Sequence, residues 1–70
     1  RNVLIAIGNS GDTTLAAAAE AHLADPSPLV RGAAIWALSR LSGKDQWETL
    51  RTAHAPSETD PSVIDEWRAD

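Results

Sequence analysis

The chain has 70 residues, a formal net charge of −4, and neither cysteine nor methionine. Without cysteine it holds no disulfide, no thiol nucleophile and no thiolate-ligated cluster of its own. Its aliphatic runs, such as Val3 to Ile7, fall far short of the ~18 residues of a membrane span, and no signal peptide is visible. A chain this short buries only ~60% of its unfolded surface and is marginal alone. It starts at Arg1 rather than at a methionine, so it reads as a piece of a longer protein with neighbours on its N-terminal side at least.

An internal echo sets the fold class. Ile5-Ala6-Ile7-Gly8 matches Trp36-Ala37-Leu38-Ser39 at an offset of 31. Leu15, Ala18, Ala21 and His22 return as Trp47, Leu50, Ala53 and His54 at an offset of 32, and Asp25-Pro26-Ser27 returns as Asp60-Pro61-Ser62. A period of roughly 30 residues with helical spacing signals stacked helical hairpins, which bury apolar faces against neighbours and present a surface. The expected fold is all-α, with two hairpins over residues 1–56, then an acidic linker and a short capping helix over 57–70.

The segment Asn2 to Gly8 has β-branched residues at 3, 5 and 7, which alone would suit a strand. Its repeat partner lies within a clear helical stripe, so a helix is predicted. Gly8-Asn9-Ser10-Gly11 then supplies residues able to take the left-handed conformation of a helix end. Asp12 or Thr13 can cap the second helix. Leu15, Ala18, Ala19, His22 and Leu23 follow at i, i+3, i+4, i+7 and i+8 on one face, and Asp25-Pro26 stops it.

Ser27 and Pro28 open the third helix as N-cap and first helical residue. Val30, Ala33, Ala34, Ala37, Leu38 and Leu41 form its stripe, and Leu29, Ile35 and Trp36 widen that stripe to almost the whole circumference. Such a helix is expected to be enclosed on several sides, and Trp36→Ala to cost about 3–5 kcal/mol as a core truncation. Ser42-Gly43 closes it. A fourth helix is expected from about Asp45 to His54, with Trp47 and Leu50 inward, followed by a linker at Ser57 to Thr59. Asp60-Pro61 begins a last helix with Val63, Ile64 and Trp67 as its apolar face.

Charge is unevenly placed. Residues 1–56 carry five acids and five bases, whereas residues 57–70 carry five acids against Arg68 alone. This is not the clustered positive footprint of a nucleic-acid binder. His22 and His54 hold equivalent repeat positions, but a metal site needs three or four ligands, so packing is the expected role. The Gly8–Gly11 turn lacks the Lys-Ser/Thr ending of a phosphate-binding loop and reads as a helix–helix turn. Arg31 suits a bond to a capping aspartate, Asp25 or Asp60. Arg1, Arg40, Lys44 and Arg51 form at most a sparse phosphate-contacting edge. Trp36, Trp47 and Trp67 lie on apolar stripes and read as core. No set of residues converges for acid–base or nucleophilic catalysis.

The stretch Asp25-Pro26-Ser27-Pro28-Leu29-Val30-Arg31, followed by Ala33-Ala34 and Ala37-Leu38, resembles HEAT-like repeats, of a kind also found in phycobilisome lyases. A narrower resemblance covers residues 1–12 and 25–38, where Arg1, Asn2, Ile5, Ala6, Gly8 and Asn9 are similar to an Arg-Asn-x-x-Ile-Ala-x-Gly-Asn pattern in the C-terminal region of the epoxyqueuosine reductases. That resemblance implies a cytoplasmic parent enzyme with cobalamin and a pair of 4Fe–4S clusters in preceding domains, reducing epoxyqueuosine to queuosine in tRNA. It implies that this segment holds no catalytic residue, cofactor or metal, and that it helps hold the anticodon stem-loop. The RNA-facing candidates are then Arg1 and Asn2 first, with Asn9, Arg31, Arg40 and Lys44 behind them. The competing expectations are a HEAT-like adaptor for a protein partner and a structural cap on an unrelated enzyme. Missing neighbours would leave apolar surface on the first helix, which favours dimerisation of the segment in isolation.

Overall fold

Local chemistry sets each helix boundary in the computed structural model, which describes residues 2–68. The helices are α1 (Asn2–Ser10), α2 (Ala16–Glu20), α3 (Pro28–Leu41), α4 (Lys44–His54) and α5 (Pro61–Arg68). Tight 3₁₀ turns at Thr13–Leu15, Ala21–Ala24 and Ala55–Ser57 join them, and no strand occurs among the described residues. None of these helices is long and apolar enough to cross a membrane.

The first helix runs through Gly8 and Asn9 and ends two residues later than the sequence suggested. Gly11, at φ 68°, is the residue that takes the left-handed conformation. Gly8 is needed for space instead: a methyl group there would collide with the Trp36 ring and lie 3.0 Å from its Cε3.

The second helix departs most from expectation. Asp12 caps the 3₁₀ turn that leads into it, its Oδ1 accepting from the Thr14 amide at 2.9 Å and the Thr14 hydroxyl at 2.6 Å. Only Ala16–Glu20 is α-helical, with 3₁₀ turns before and after. A 3₁₀ turn advances by 3.0 residues rather than 3.6, so the angular phase slips at each end. Leu15, Ala16, Ala19 and Leu23 face the core, whereas Ala18 and His22 are exposed. The packing role expected for His22 is therefore not found.

Both Asp-Pro-Ser motifs open helices, but in different phases. In the first, Ser27 is the N-cap and Pro28 the first helical residue, while Asp25 Oδ1 accepts from the Ser27 amide at 2.8 Å. In the second, Pro61 is already the first helical residue, and Asp60 Oδ1 accepts from the Ser62 amide at 2.9 Å.

All five helices contribute to one core. Leu4, Ile35, Leu38 and Val63 are its largest fully enclosed side chains, and no polar or charged residue is buried among the described residues. The helix α3 is central, with α1, α2 and α5 packed on it. Trp67 of α5 reaches Trp47 of α4, with ring centroids 5.3 Å apart, and stacks on His54 at 6.0 Å. The predicted inward placement of Trp47, Leu50, Val63 and Trp67 is observed.

The expectation that α3 is enclosed nearly all round needs correction. Ala34, Ile35, Ala37, Leu38 and Leu41 are buried, but Leu29 is 67% exposed and Trp36 only half-buried. The side of α3 bearing Leu29 and Trp36 lies between α1 and α5 and is open.

Candidate functional site

The open side of α3 forms a groove of about 450 Å³. Its floor is Pro28, Leu29, Gly32, Ala33 and Trp36 of α3; Ile5 and Asn9 of α1 stand on one side, and Ser62 and Glu66 of α5 on the other. The surface is mostly apolar because α3 carries hydrophobic residues on a face that none of the other described helices covers. Arg40, one turn beyond Trp36, places its guanidinium 5.7 Å from the centre of the Trp36 ring, within the range of a cation–π contact. Nearby on α1, Val3 is 68% exposed and Ile5 37%.

A second, smaller recess of about 290 Å³ is polar and lies among Leu23, Arg31, Ile35, His54, Glu58 and Trp67. Its charged pair is a two-pronged bridge: Arg31 Nε donates to Glu58 Oε1 at 2.9 Å, and Nη2 donates to Oε2 at 3.0 Å. Arg31 Nη1 also donates to the carbonyls of Asp25 (2.9 Å) and Pro26 (3.1 Å). Glu58 Oε2 in turn accepts from the amides of Thr59 and Asp60. One guanidinium thus ties the turn before α3 to the turn before α5. The bidentate hydrogen bond from Arg31 holds the Glu58 carboxyl below the usual glutamate value despite its partial burial. The same pairing raises Arg31.

The sequence pointed to Asp25 or Asp60 as the carboxylate partner of Arg31. The observed partner is Glu58, and Asp25 contributes its backbone carbonyl. Asp60 spends its carboxylate on Ser62, and these bonds lower its pKa. The segment Ser57 to Thr59, expected as a plain linker, is held by this bridge. No periodicity marks Glu58, because it lies between helices and its partner is 27 residues away.

The RNA-facing candidates occupy different places. Asn2 begins α1 and is exposed; Asn9 lines the apolar groove. Arg40 lies over Trp36, and Lys44 is exposed at the first residue of α4. Arg31 has its guanidinium engaged as described, with its side chain 19% exposed. Arg1 lies outside the described residues. Asn9, Trp36 and Arg40 thus share one side of the molecule, whereas Arg31 belongs to the polar recess. Among the described residues, no three His, Asp or Glu side chains gather as a metal site would require.

The fold and its groove define the class: an all-α helical-repeat protein whose central helix presents an uncovered face. The family profile for HEAT repeats matches residues 1–66, and the chain belongs to that family. The match reaches into α5 as far as Glu66, in keeping with the place of Val63 in the shared core. Searches of curated proteins and of solved structures returned no match.

Proposed function

We propose that this HEAT-repeat chain is the C-terminal scaffold of an epoxyqueuosine reductase and helps position the tRNA anticodon stem-loop for the catalytic domains. The observation that carries the reading is the residue pattern: Arg1, Asn2, Ile5, Ala6, Gly8 and Asn9, then residues 25–38, resemble that family's C-terminal region. A repeat scaffold without a convergent catalytic set accords with this role, since stacked helical repeats supply binding surfaces. On this reading the chemistry, cobalamin and the 4Fe–4S clusters belong to preceding domains of a cytoplasmic enzyme. The RNA contacts come from exposed Asn2, Asn9, Arg40 and Lys44 together with Arg1. Arg31 acts chiefly through its bridge to Glu58.

The test uses the full-length protein purified without oxygen. Iron and acid-labile sulfide sufficient for a pair of 4Fe–4S clusters, together with salt-sensitive tRNA binding, support the reading. Absence of clusters returns the segment to the alternative of a HEAT-like adaptor for another protein, which the uncovered apolar face of α3 favours. The two differ in salt response, because phosphate contacts weaken steeply with added salt and apolar docking does not.

A further inference from the structure

A cation and an anion both stand at the apolar groove of α3. Leu29, Ala33 and Trp36 follow at i, i+4 and i+7, so the floor runs for roughly 10 Å. The Trp36 ring rests against Gly8 of α1, and the rest of it opens into the groove. Arg40 lies over that ring, one turn further along α3. Glu66 of α5 lines the wall near Gly32 and makes no ion pair among the described residues. Asn9 lines the opposite wall. Arg31 and Asp60 are engaged elsewhere, with Glu58 and Ser62.

This set selects a flat occupant with polar edges. An aliphatic occupant would cover Asn9 and Glu66 without pairing them, which is costly. A nucleobase stacks on an indole, and every base has a π-face for this. The edges then decide which base fits. A carboxylate only accepts hydrogen bonds, through two neighbouring oxygens. Guanine presents two neighbouring donors, N1–H and the N2 amino group, on one edge. Adenine and cytosine set one amino donor beside a ring acceptor, and uracil sets N3–H between two carbonyls. Each of these brings a lone pair against Glu66. Guanine also keeps O6 and N7 as acceptors for the Asn9 amide. Arg40, at the end of the groove, is placed for the phosphate of the same nucleotide and offsets its repulsion by Glu66. The groove, at about 450 Å³, is within the size range of small-ligand pockets.

We propose that the α1–α3–α5 groove binds one unpaired guanine of a single-stranded RNA segment. Trp36 stacks on the base, Glu66 accepts from N1–H and the N2 amino group, and Arg40 meets the adjoining phosphate. The pocket rests on the RNA contact proposed for Asn9 and Arg40, and not on the chemistry of the preceding domains.

The experiment titrates the full-length protein with labelled oligouridines of about five nucleotides, carrying guanosine, inosine, adenosine or uridine at the centre. Inosine keeps N1–H and lacks the N2 amino group. The guanosine strand is expected to bind at least about tenfold more tightly than the adenosine strand, with inosine between them. Glu66→Gln should bring guanosine and adenosine within about twofold of each other. Arg40→Ala should weaken all four strands and reduce their salt dependence while keeping the guanosine preference. Glu66 is partly exposed and Arg40 exposed, so circular dichroism and melting of both variants should match the parent protein. Equal affinity for the four strands, a preference that Glu66→Gln leaves intact, or no binding of any strand overturns the proposal. So does guanosine monophosphate binding as tightly as the strand, which assigns the groove to a free nucleotide. Displacement of the strand by a helical peptide rich in leucine and lysine assigns the groove to a protein and also overturns it. Failure of the tRNA reading itself looks different: tRNA then shows no salt-sensitive binding, and Lys44→Ala changes nothing. Salt-sensitive tRNA binding without a guanosine preference leaves that reading standing and removes only this pocket.

Discussion

A glycine inside a helix ordinarily costs stability, because alanine in its place would lose about 0.5–1 kcal/mol less backbone entropy. At Gly8 the opposite is expected, since the helix must pass directly against the Trp36 ring. An added methyl forces that ring to shift, and overpacking of this kind costs about 1–3 kcal/mol. Gly8→Ala should therefore lower the urea midpoint by a net loss of about 1 kcal/mol or more. An unchanged midpoint would mean that the ring swings into the open groove at no cost. The tryptophans themselves should differ. Trp67 is enclosed and lies against Trp47 and His54, so Trp67→Ala is expected to cost about 3–5 kcal/mol. Trp36 keeps part of its ring in the groove, so Trp36→Ala should cost clearly less than Trp67→Ala. Denaturation curves of the two variants decide the order; a larger loss at Trp36 would place that ring in the core.

At the scale of elements, the bridge between Arg31 and Glu58 is the polar link between the starts of α3 and α5. The Glu58 pKa is depressed in the folded chain, so the unfolded chain binds more protons wherever this group titrates. Its contribution is complete above the ordinary glutamate value of 4.5 and is lost as pH falls through the lower folded value. Asp60 and Asp12 are depressed by their hydrogen bonds to Ser62 and Thr14 and act in the same direction below 3.8. Stability should thus decline on acidification below about pH 4.5. Glu58→Gln should lower Tm by several degrees at neutral pH and flatten this acid limb. Thermal melts from pH 3 to 7 in both proteins are the check, and parallel curves would remove Glu58 from the account. The helix boundaries teach a related lesson. The same tripeptide, Asp-Pro-Ser, starts α3 and α5 in different phases because serine caps one and aspartate the other.

For the whole molecule, the proposed tRNA contact makes a prediction about salt. Each phosphate contact contributes about 0.7–0.9 to the slope of log affinity on log salt. In the full-length protein, Arg40→Ala and Lys44→Ala should each reduce that slope by about one while leaving the melting temperature within error. An unchanged slope in both variants would remove these residues from the RNA interface.

Helical periodicity, the proline and serine start signals, and the internal echo were enough to read an all-α hairpin array with Trp47, Leu50, Val63 and Trp67 inside. These features depend on residues within a few turns of one another, and such local preferences are written directly in the chain. Three other features were decided only when the helices met. The 3₁₀ turns around α2 shifted its phase and exposed Ala18 and His22. Arg31 took Glu58 as its partner, a choice among several carboxylates that depends on how two turns approach in space. The continuous apolar surface of α3 became core on one side and groove on the other, because α1 and α5 pack on it without closing over Leu29 and Trp36. Hydrophobicity in a sequence marks surface that gains by leaving water, but packing alone decides which part of that surface finds a neighbour within the chain.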